Sequence, residues 1–204
     1  MPEPGTATRP PTRRDEGARA TRDALVRAGL ELFGKRGYAE VGTEEIVARA
    51  RVTRGALYHH FEDKRDLFRA VHERVEDELI SRIGAAMGEV TDPWELMLTG
   101  TRSFLDACEE PAMKQIALID APAVLGWDEW RHIDERYGLG LTRAALRGAV
   151  DAGVLRPLPV EPLSHLLLAA LSEAALMIAG AEDPRATRRQ VEAALIELLE
   201  GLRA

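Results

Sequence analysis

The stretch "TRGALYHHFEDK", Thr53–Lys64, decides how this chain is read. Thr53 offers a hydroxyl that caps a helix, and that helix ends near His60 because "FEDK" opens another. There, Asp63 with Asp66 three residues on resembles a capping box. In the short helix, Ala56, Leu57 and Phe61 pack inward. Arg54, Gly55, Tyr58, His59 and His60 project at the remaining helical positions, so nothing apolar is spent on the outer face. A guanidinium suits guanine edges or phosphate, a phenol and imidazoles reach phosphate oxygens, and Gly55 lets a sugar-phosphate chain approach closely. Upstream, Thr43 is expected to cap a second short helix, with Glu44 and Glu45 complementing its positive end, and this helix closes near Ala50. The turn "RVT" joins the two. Two short helices joined by a three-residue turn match a helix-turn-helix, whose second helix lies in the DNA major groove. Lys64, at the start of the next helix, adds a positive charge beside backbone N–H groups.

Working outward, helical periodicity dominates, and an all-α fold of about nine helices follows. Leu25, Ala28, Gly29, Leu32 and Phe33 share one face of a first helix that ends in a basic turn and Gly37. Leu67, Phe68, Val71, Val75 and Leu79 carry a fourth helix well beyond residue 80. Asp92-Pro93 and Asp183-Pro184 each pair a cap with proline at the first helical position, where its missing N–H costs nothing. Between them lie "AMKQIALIDA", stopped by Pro122, a long helix from about Asp128 to Ala152, and one from about Val160 to Ala179. The proline-rich "GVLRPLPVEP" is expected to be an exposed loop. The expected division is a disordered tail over 1–18, a helix-turn-helix domain over 19–66, and a helical effector-binding and dimerisation domain over 67–204.

The run from Thr21 to Val71, above all "TEEIVARARVTRGALYHHFEDKRDLF", resembles the DNA-binding domain of the TetR family of transcriptional regulators. The all-helical remainder agrees in length and helix order, and "LIDAPAVLGWDEWRHIDERYGLGL" resembles one C-terminal subfamily. Carried over by position, the resemblance implies phosphate contacts from Thr43, Tyr58 and Lys64, and base or backbone contacts from Arg54, Gly55 and His59, with His60 beside them. Two positions depart from the family pattern: Val47 stands where alanine is usual, and Arg51 where a turn glycine is usual. An arginine held at positive φ costs on the order of 1 kcal/mol relative to glycine.

Composition bounds the function. The 204 residues carry a net charge of -7, but the charge is divided. Residues 1–70 hold 14 Lys and Arg against 11 Asp and Glu, and the rest hold 13 against 23. That asymmetry fits a polyanion-facing module on an acidic body. The single cysteine, Cys108, makes no internal disulfide, which fits a reduced, cytoplasmic compartment. No run of about 18 apolar residues is seen, the usual minimum for a membrane span, so no membrane partner is expected. The N-terminal twenty residues have no apolar core and read as no signal peptide. No phosphate-cradling glycine loop, nucleophile elbow or metal-ligand pair is present, and neighbours such as His59 and His60 point about 100° apart. Neither an enzyme, a metal nor a cofactor is expected.

The expected partners are double-stranded operator DNA, a small-molecule effector and a second copy of the chain. "EPLSHLLLAALSEAALMIAG" is apolar almost all round and "VEAALIELLEGL" has a wide apolar stripe, more than one small domain buries alone. In the family, the last two helices pair into a four-helix bundle between subunits. Trp94, Met97, Phe104, Met113, Trp127, Trp130 and Tyr137 are candidates for an apolar effector pocket, against the blander reading of plain core. Asp120, Asp128, Glu129 and Asp134 either favour a cationic effector or form a solvated face. The expectation is a repressor that binds a palindromic operator as a homodimer and is released by its effector. The alternative is a helical protein-binding adaptor.

Overall fold

The computed structural model describes residues 13–204. Nine helices are found among them: α1 Arg13–Arg36, α2 Thr43–Ala50, α3 Arg54–His60, α4 Lys64–Gly88 and α5 Pro93–Cys108, then α6, then α7 Trp127–Asp151, α8 Val160–Gly180 and α9 Pro184–Glu200. Helix α6 joins Pro111–Met113, Lys114–Asp120 and Ala121–Leu125, and its middle stretch is π-helical. The only strand-like pairing among the described residues is an isolated bridge between Leu155 and Arg203.

The three N-terminal helices share one core with the first half of α4. Leu25 and Phe33 of α1, Ile46 of α2, Leu57 of α3, and Leu67 and Phe68 of α4 are all fully buried together. Gly29 is required where α1 crosses α4, since a Cβ there would lie 2.8 Å from Val71 Cγ2. The caps follow the chemistry of the sequence at most ends. Thr53 Oγ1 accepts from the Ala56 N–H at 3.2 Å, Asp63 accepts from the Asp66 N–H at 2.8 Å, and Asp92 accepts from both Trp94 and Glu95. Asp183 accepts from the Ala186 N–H at 3.0 Å. Helix α2 differs. Thr43 is its first residue rather than its cap, Gly42 takes the cap position, and the Glu45 carboxylate reaches back to the Gly42 N–H at 3.3 Å.

Four further expectations need correcting. Residues 1–12 of the expected tail lie outside the described residues, but 13–18 are helical and open α1, with Asp15 and Glu16 in its first turn. Pro122 does not stop α6. In a π-helix each N–H reaches five residues back, and Ala121 bonds the Ile116 carbonyl in that way. The same register would direct residue 122 to the Ala117 carbonyl, and the indole of Trp130 supplies that bond instead, at 2.9 Å. The connection after α7 is not wholly exposed either: Leu155 is buried, the Arg156 N–H donates to the Leu202 carbonyl, and the Ala204 N–H donates to the Val154 carbonyl, which ties this loop to the C-terminal residues. Finally, α8 is long and apolar enough, with a mean hydropathy of 1.6, to cross a membrane by length and composition. In the fold it packs against α5, α7 and α9 as the central helix of the C-terminal body.

Arg51, the residue after α2, adopts φ 57 and ψ 41, the left-handed conformation expected of a turn glycine. Its N–H bonds the Ala48 carbonyl and that of Val52 bonds the Val47 carbonyl, so the turn keeps its bonding despite the side chain. Val47 is accommodated in the core at 7% exposure. Left-handed geometry costs a non-glycine residue about 1–2 kcal/mol, partly offset by the chain entropy that glycine loses on folding. Arg51→Gly is therefore expected to raise stability by about 0.5–1 kcal/mol, a Tm rise of about 1–4 °C in a chain of this size. A lowered Tm in calorimetry would contradict this account of the turn.

Candidate nucleic-acid interface and effector cavity

Helix α3 is fixed from beneath. Leu57 and Phe61 are buried in the core shared with α1, α2 and α4, which turns Arg54, Gly55, Tyr58 and His59 to the outside, with Tyr58 at 45% exposure. Arg54 donates to Glu44 at 3.0 Å and stacks over the Tyr58 ring at 5.6 Å, tying the start of α3 to the first turn of α2 beside Thr43. A Cβ at Gly55 would meet nothing closer than Thr53 Oγ1 at 3.9 Å, so the protein itself does not require glycine there. His60 is less available. It is half-buried, and burial, then the positive charges of His59 and Arg22, holds its pKa below the usual histidine range. Lys64 lies at the N-terminus of α4, but its ammonium bonds the Tyr38 carbonyl at 2.6 Å and sits 3.9 Å from the Tyr38 ring. Burial lowers its pKa, opposed by the charge of Asp120.

A joint connects this face to the C-terminal body. The Asp120 carboxylate of α6 accepts from the Tyr38 N–H at 2.8 Å. Arg65, one residue after Lys64, donates to the Val124 and Leu125 carbonyls at 3.1 and 2.9 Å and to Glu129 at 2.6 Å. Arg69, one turn on, also pairs with Glu129. Fixed-fork guanidiniums suit such a multiple grip on one carboxylate and two carbonyls.

A cavity of about 70 Å³ lies among α4, α5, α7 and α8, closed by Leu199 of α9. That is several times the roughly 10–15 Å³ needed by one water. Its wall is mostly aliphatic: Leu79, Ile83, Leu141, Leu146, Leu168 and Leu171. Of the seven pocket candidates only Met97 and Phe104 line it. Trp94 is buried beneath the Arg203 guanidinium, Met113 packs in the core with α1 and α4, and Trp130 is held by its bond to Ala117. Trp127 is 56% exposed, and Tyr137 borders a surface groove of about 570 Å³ between α1 and α4. Of the acidic set, Asp134 alone lines the cavity; Asp120 and Glu129 serve the joint, and Asp128 is exposed.

Glu76 was not among the candidates, and it is the other carboxyl on the cavity wall, at 6% exposure. Its signal in the sequence was a charge on the buried face of α4, one turn before Ile80 and between Val75 and Leu79. Burial, and then the nearby charge of Asp134, pushes its pKa up to about 8. His72, one turn before, is fully buried with neither ring nitrogen hydrogen-bonded to any described residue, and burial lowers its pKa to about 4. The two are 3.8 Å apart. At neutral pH both are therefore uncharged, the acid protonated and the imidazole not. Cys108 is buried and its thiol pKa is pushed well up, an inert structural cysteine.

Comparison with known proteins agrees with both halves. Residues 25–71 match the family model described as bacterial regulatory proteins, tetR family, and residues 94–202 match the tetracyclin repressor-like, C-terminal domain. The transposon Tn10 TetC protein of Escherichia coli is 26% identical over 152 residues, covering 74% of this chain and 77% of that protein. A crystal structure of a TetR-family transcriptional regulator from Pectobacterium atrosepticum superposes with a TM-score of 0.84 at 35% identity, covering 95% of this chain and 98% of the other. RolR, crystallised in complex with resorcinol, shares the fold at a TM-score of 0.71 and 19% identity, over 90% of this chain and 89% of its own.

The two buried groups on α4 give opposite pH dependences. Glu76 binds a proton in the folded state up to about pH 8 but only to about 4.5 unfolded, so its contribution is lost as pH rises between those values. His72 refuses a proton in the folded state that the unfolded chain takes up below about 6.5, so stability falls as pH drops from there to about 4. The slopes cancel between pH 4.5 and 6.5. Above that, Glu76 acts alone, and urea denaturation should show about 2 kcal/mol lost between pH 6.5 and 8.5. Glu76→Gln should abolish this loss and uncover a rise in stability from pH 4.5 to 6.5; a parent profile flat to pH 8.5 contradicts the assignment.

Proposed function

The chain belongs to the TetR family and is a transcriptional regulator with a helix-turn-helix DNA-binding domain, and we propose that it is a repressor which binds a palindromic operator as a homodimer and is released by a small-molecule effector. One observation carries the operator reading. The outward side chains of α3 are Arg54, Tyr58 and His59, beside a glycine that the protein's own packing does not need. A fold of its own has no use for such a face; a duplex does. Arg54 leaves Glu44 for a base edge or phosphate, while Thr43, Tyr58, His59 and the free N–H groups of Lys64 hold phosphates. The reading head takes in α1, from Arg13, through residue 66, the effector and dimerisation body is 67–204, and α4 runs through the boundary between them.

The dimer reading rests on α8 and α9. Leu166 and Met177 of α8 and Leu198 of α9 are 69%, 52% and 62% exposed, large apolar side chains on the two helices that end the chain. Pairing these helices with those of a second copy would bury that stripe and place two α3 helices for two half-sites about one DNA turn apart, roughly 34–36 Å. This work is done in the cytoplasm, where the DNA is.

The effector reading rests on the path from cavity to DNA face. Helix α4 lines the cavity with Glu76, Leu79 and Ile83 and begins at Lys64 beside α3. A molecule that fits the cavity only when α4 moves from α7 shifts the Arg65, Arg69 and Glu129 joint and changes the spacing between reading heads. A full reversal from 1:99 to 99:1 needs a difference in ligand affinity worth about 5.5 kcal/mol. That RolR, of the same fold, is described with resorcinol supports a helical body of this shape as a place for a small molecule.

Selection of bound duplexes from a random pool is expected to return a palindrome. Arg54→Ala should relax base preference at one position of each half-site, at about 1–3 kcal/mol. Tyr58→Ala should weaken all sequences alike, and Gly55→Ala should leave Tm no lower, since alanine suits a helix better than glycine, yet weaken binding. An unaltered motif and affinity in all three would dismiss α3 as the reading helix. For the dimer, Leu198→Glu should yield a folded monomer by light scattering that loses operator binding; a persistent dimer places the interface elsewhere.

A further inference from the structure

The cavity wall is mostly apolar; its polar groups are the carboxyls of Glu76 and Asp134 and the hydroxyls of Thr101 and Thr142, the last already donating to the Gly138 carbonyl. Glu76 makes no hydrogen bond to any described residue; the uncharged imidazole of His72 lies 3.8 Å away. Asp134 is scarcely better supplied. The Ser172 hydroxyl lies 2.8 Å from its Oδ2 and 2.9 Å from the Leu168 carbonyl, and has one proton for the two. Arg131 stands 3.8 Å from Asp134 and also 3.4 Å from Glu135. From α5 the neighbours are Thr101 and, behind it, Cys108. No lysine, arginine or histidine is among the described residues lining the cavity.

We propose that this cavity takes an organic cation, an apolar body bearing one protonated amine that donates to Glu76 and Asp134. The identification of that molecule as the effector rests on the regulator reading above; the binding chemistry does not. A carboxylate or phosphate ligand would meet two acids and no base. A wholly apolar ligand would displace water from both carboxyls and return no hydrogen bond, which is the costliest outcome for a buried polar group. An ammonium donates to both, and its charge offsets the repulsion that would arise between them once Glu76 ionises. It also draws the proton off Glu76, which is held as the neutral acid at pH 7, so cation binding is coupled to proton release.

Titration calorimetry on the full chain at pH 7, without DNA, tests this with three molecules of one shape, each larger than the void of about 70 Å³ and so admitted only as α4 parts from α7: 4-phenylbutylamine, 4-phenylbutan-1-ol and 4-phenylbutyrate. The amine is expected to bind at least about tenfold tighter than the alcohol, and 4-phenylbutyrate not at all. Buffers of different ionisation enthalpy should show close to one proton released per amine and none with the alcohol. Glu76→Gln should weaken the amine about tenfold and abolish the proton release while leaving the alcohol unaffected. Tighter or equal binding of the alcohol or 4-phenylbutyrate, amine binding indifferent to Glu76→Gln, or no binding by all three overturns the proposal. Operator binding, measured in parallel, separates the two claims: its absence defeats the regulator reading and leaves amine binding to stand on its own.

Discussion

Helix α3 has seven residues, too few to be stable by itself, and its existence depends on burying Leu57 and Phe61 in the core made by α1, α2 and α4. That anchoring sets the rotation of the helix, and the rotation decides which side chains face out. Arg54, Gly55, Tyr58 and His59 are exposed because the two apolar positions are spent inward. The Thr53 and Asp63 caps fix where α3 begins and where the chain turns into α4, so the same few interactions determine the reading face and the start of the long helix behind it.

Helix α4 is the element shared by everything else. Its first turns belong to the N-terminal core, its middle holds His72 and Glu76, and its later turns, at Leu79, Ile83 and Met87, line the cavity. Arg65 and Arg69 fasten it to the α6–α7 junction through Glu129 and two backbone carbonyls. The junction can offer those carbonyls because α6 passes through a π-helical stretch and a proline before ending at Gly126, with φ 84. A buried carboxyl with a raised pKa and a fully buried imidazole without a hydrogen bond to any described residue are both expensive, and they sit between the cavity and the joint. Groups retained at such cost are where function is to be sought.

Local signals were legible in the sequence, and long-range ones much less so. The all-helical class, the capping threonine and aspartates, and the two Asp-Pro starts are short-range chemistry, read within four residues. The left-handed turn at Arg51 was not among these local signals; it was expected from the family resemblance, in which a turn glycine is usual at that position. The early start of α1 was hidden by proline and glycine in the preceding residues, and the passage of Pro122 depended on an indole eight residues away. The cavity was the least legible. Trp94, Met113, Trp127, Trp130 and Tyr137 were natural choices by size, yet a cavity forms where helices fail to meet, which is a property of their crossings. Met97, Phe104 and Asp134 were foreseeable; Glu76 was visible only as a charge out of place on an apolar face.

The most direct test of the account is a distance between the two reading heads. Glu62, exposed just beyond α3, can be changed to cysteine and spin-labelled, since the native Cys108 is buried and unreactive. Pulsed dipolar spectroscopy on the operator complex should give a single narrow distance near one DNA turn, about 34–36 Å. No distance between protomers, or one that no integral number of DNA turns can match, would contradict the claim that two copies of α3 read one duplex.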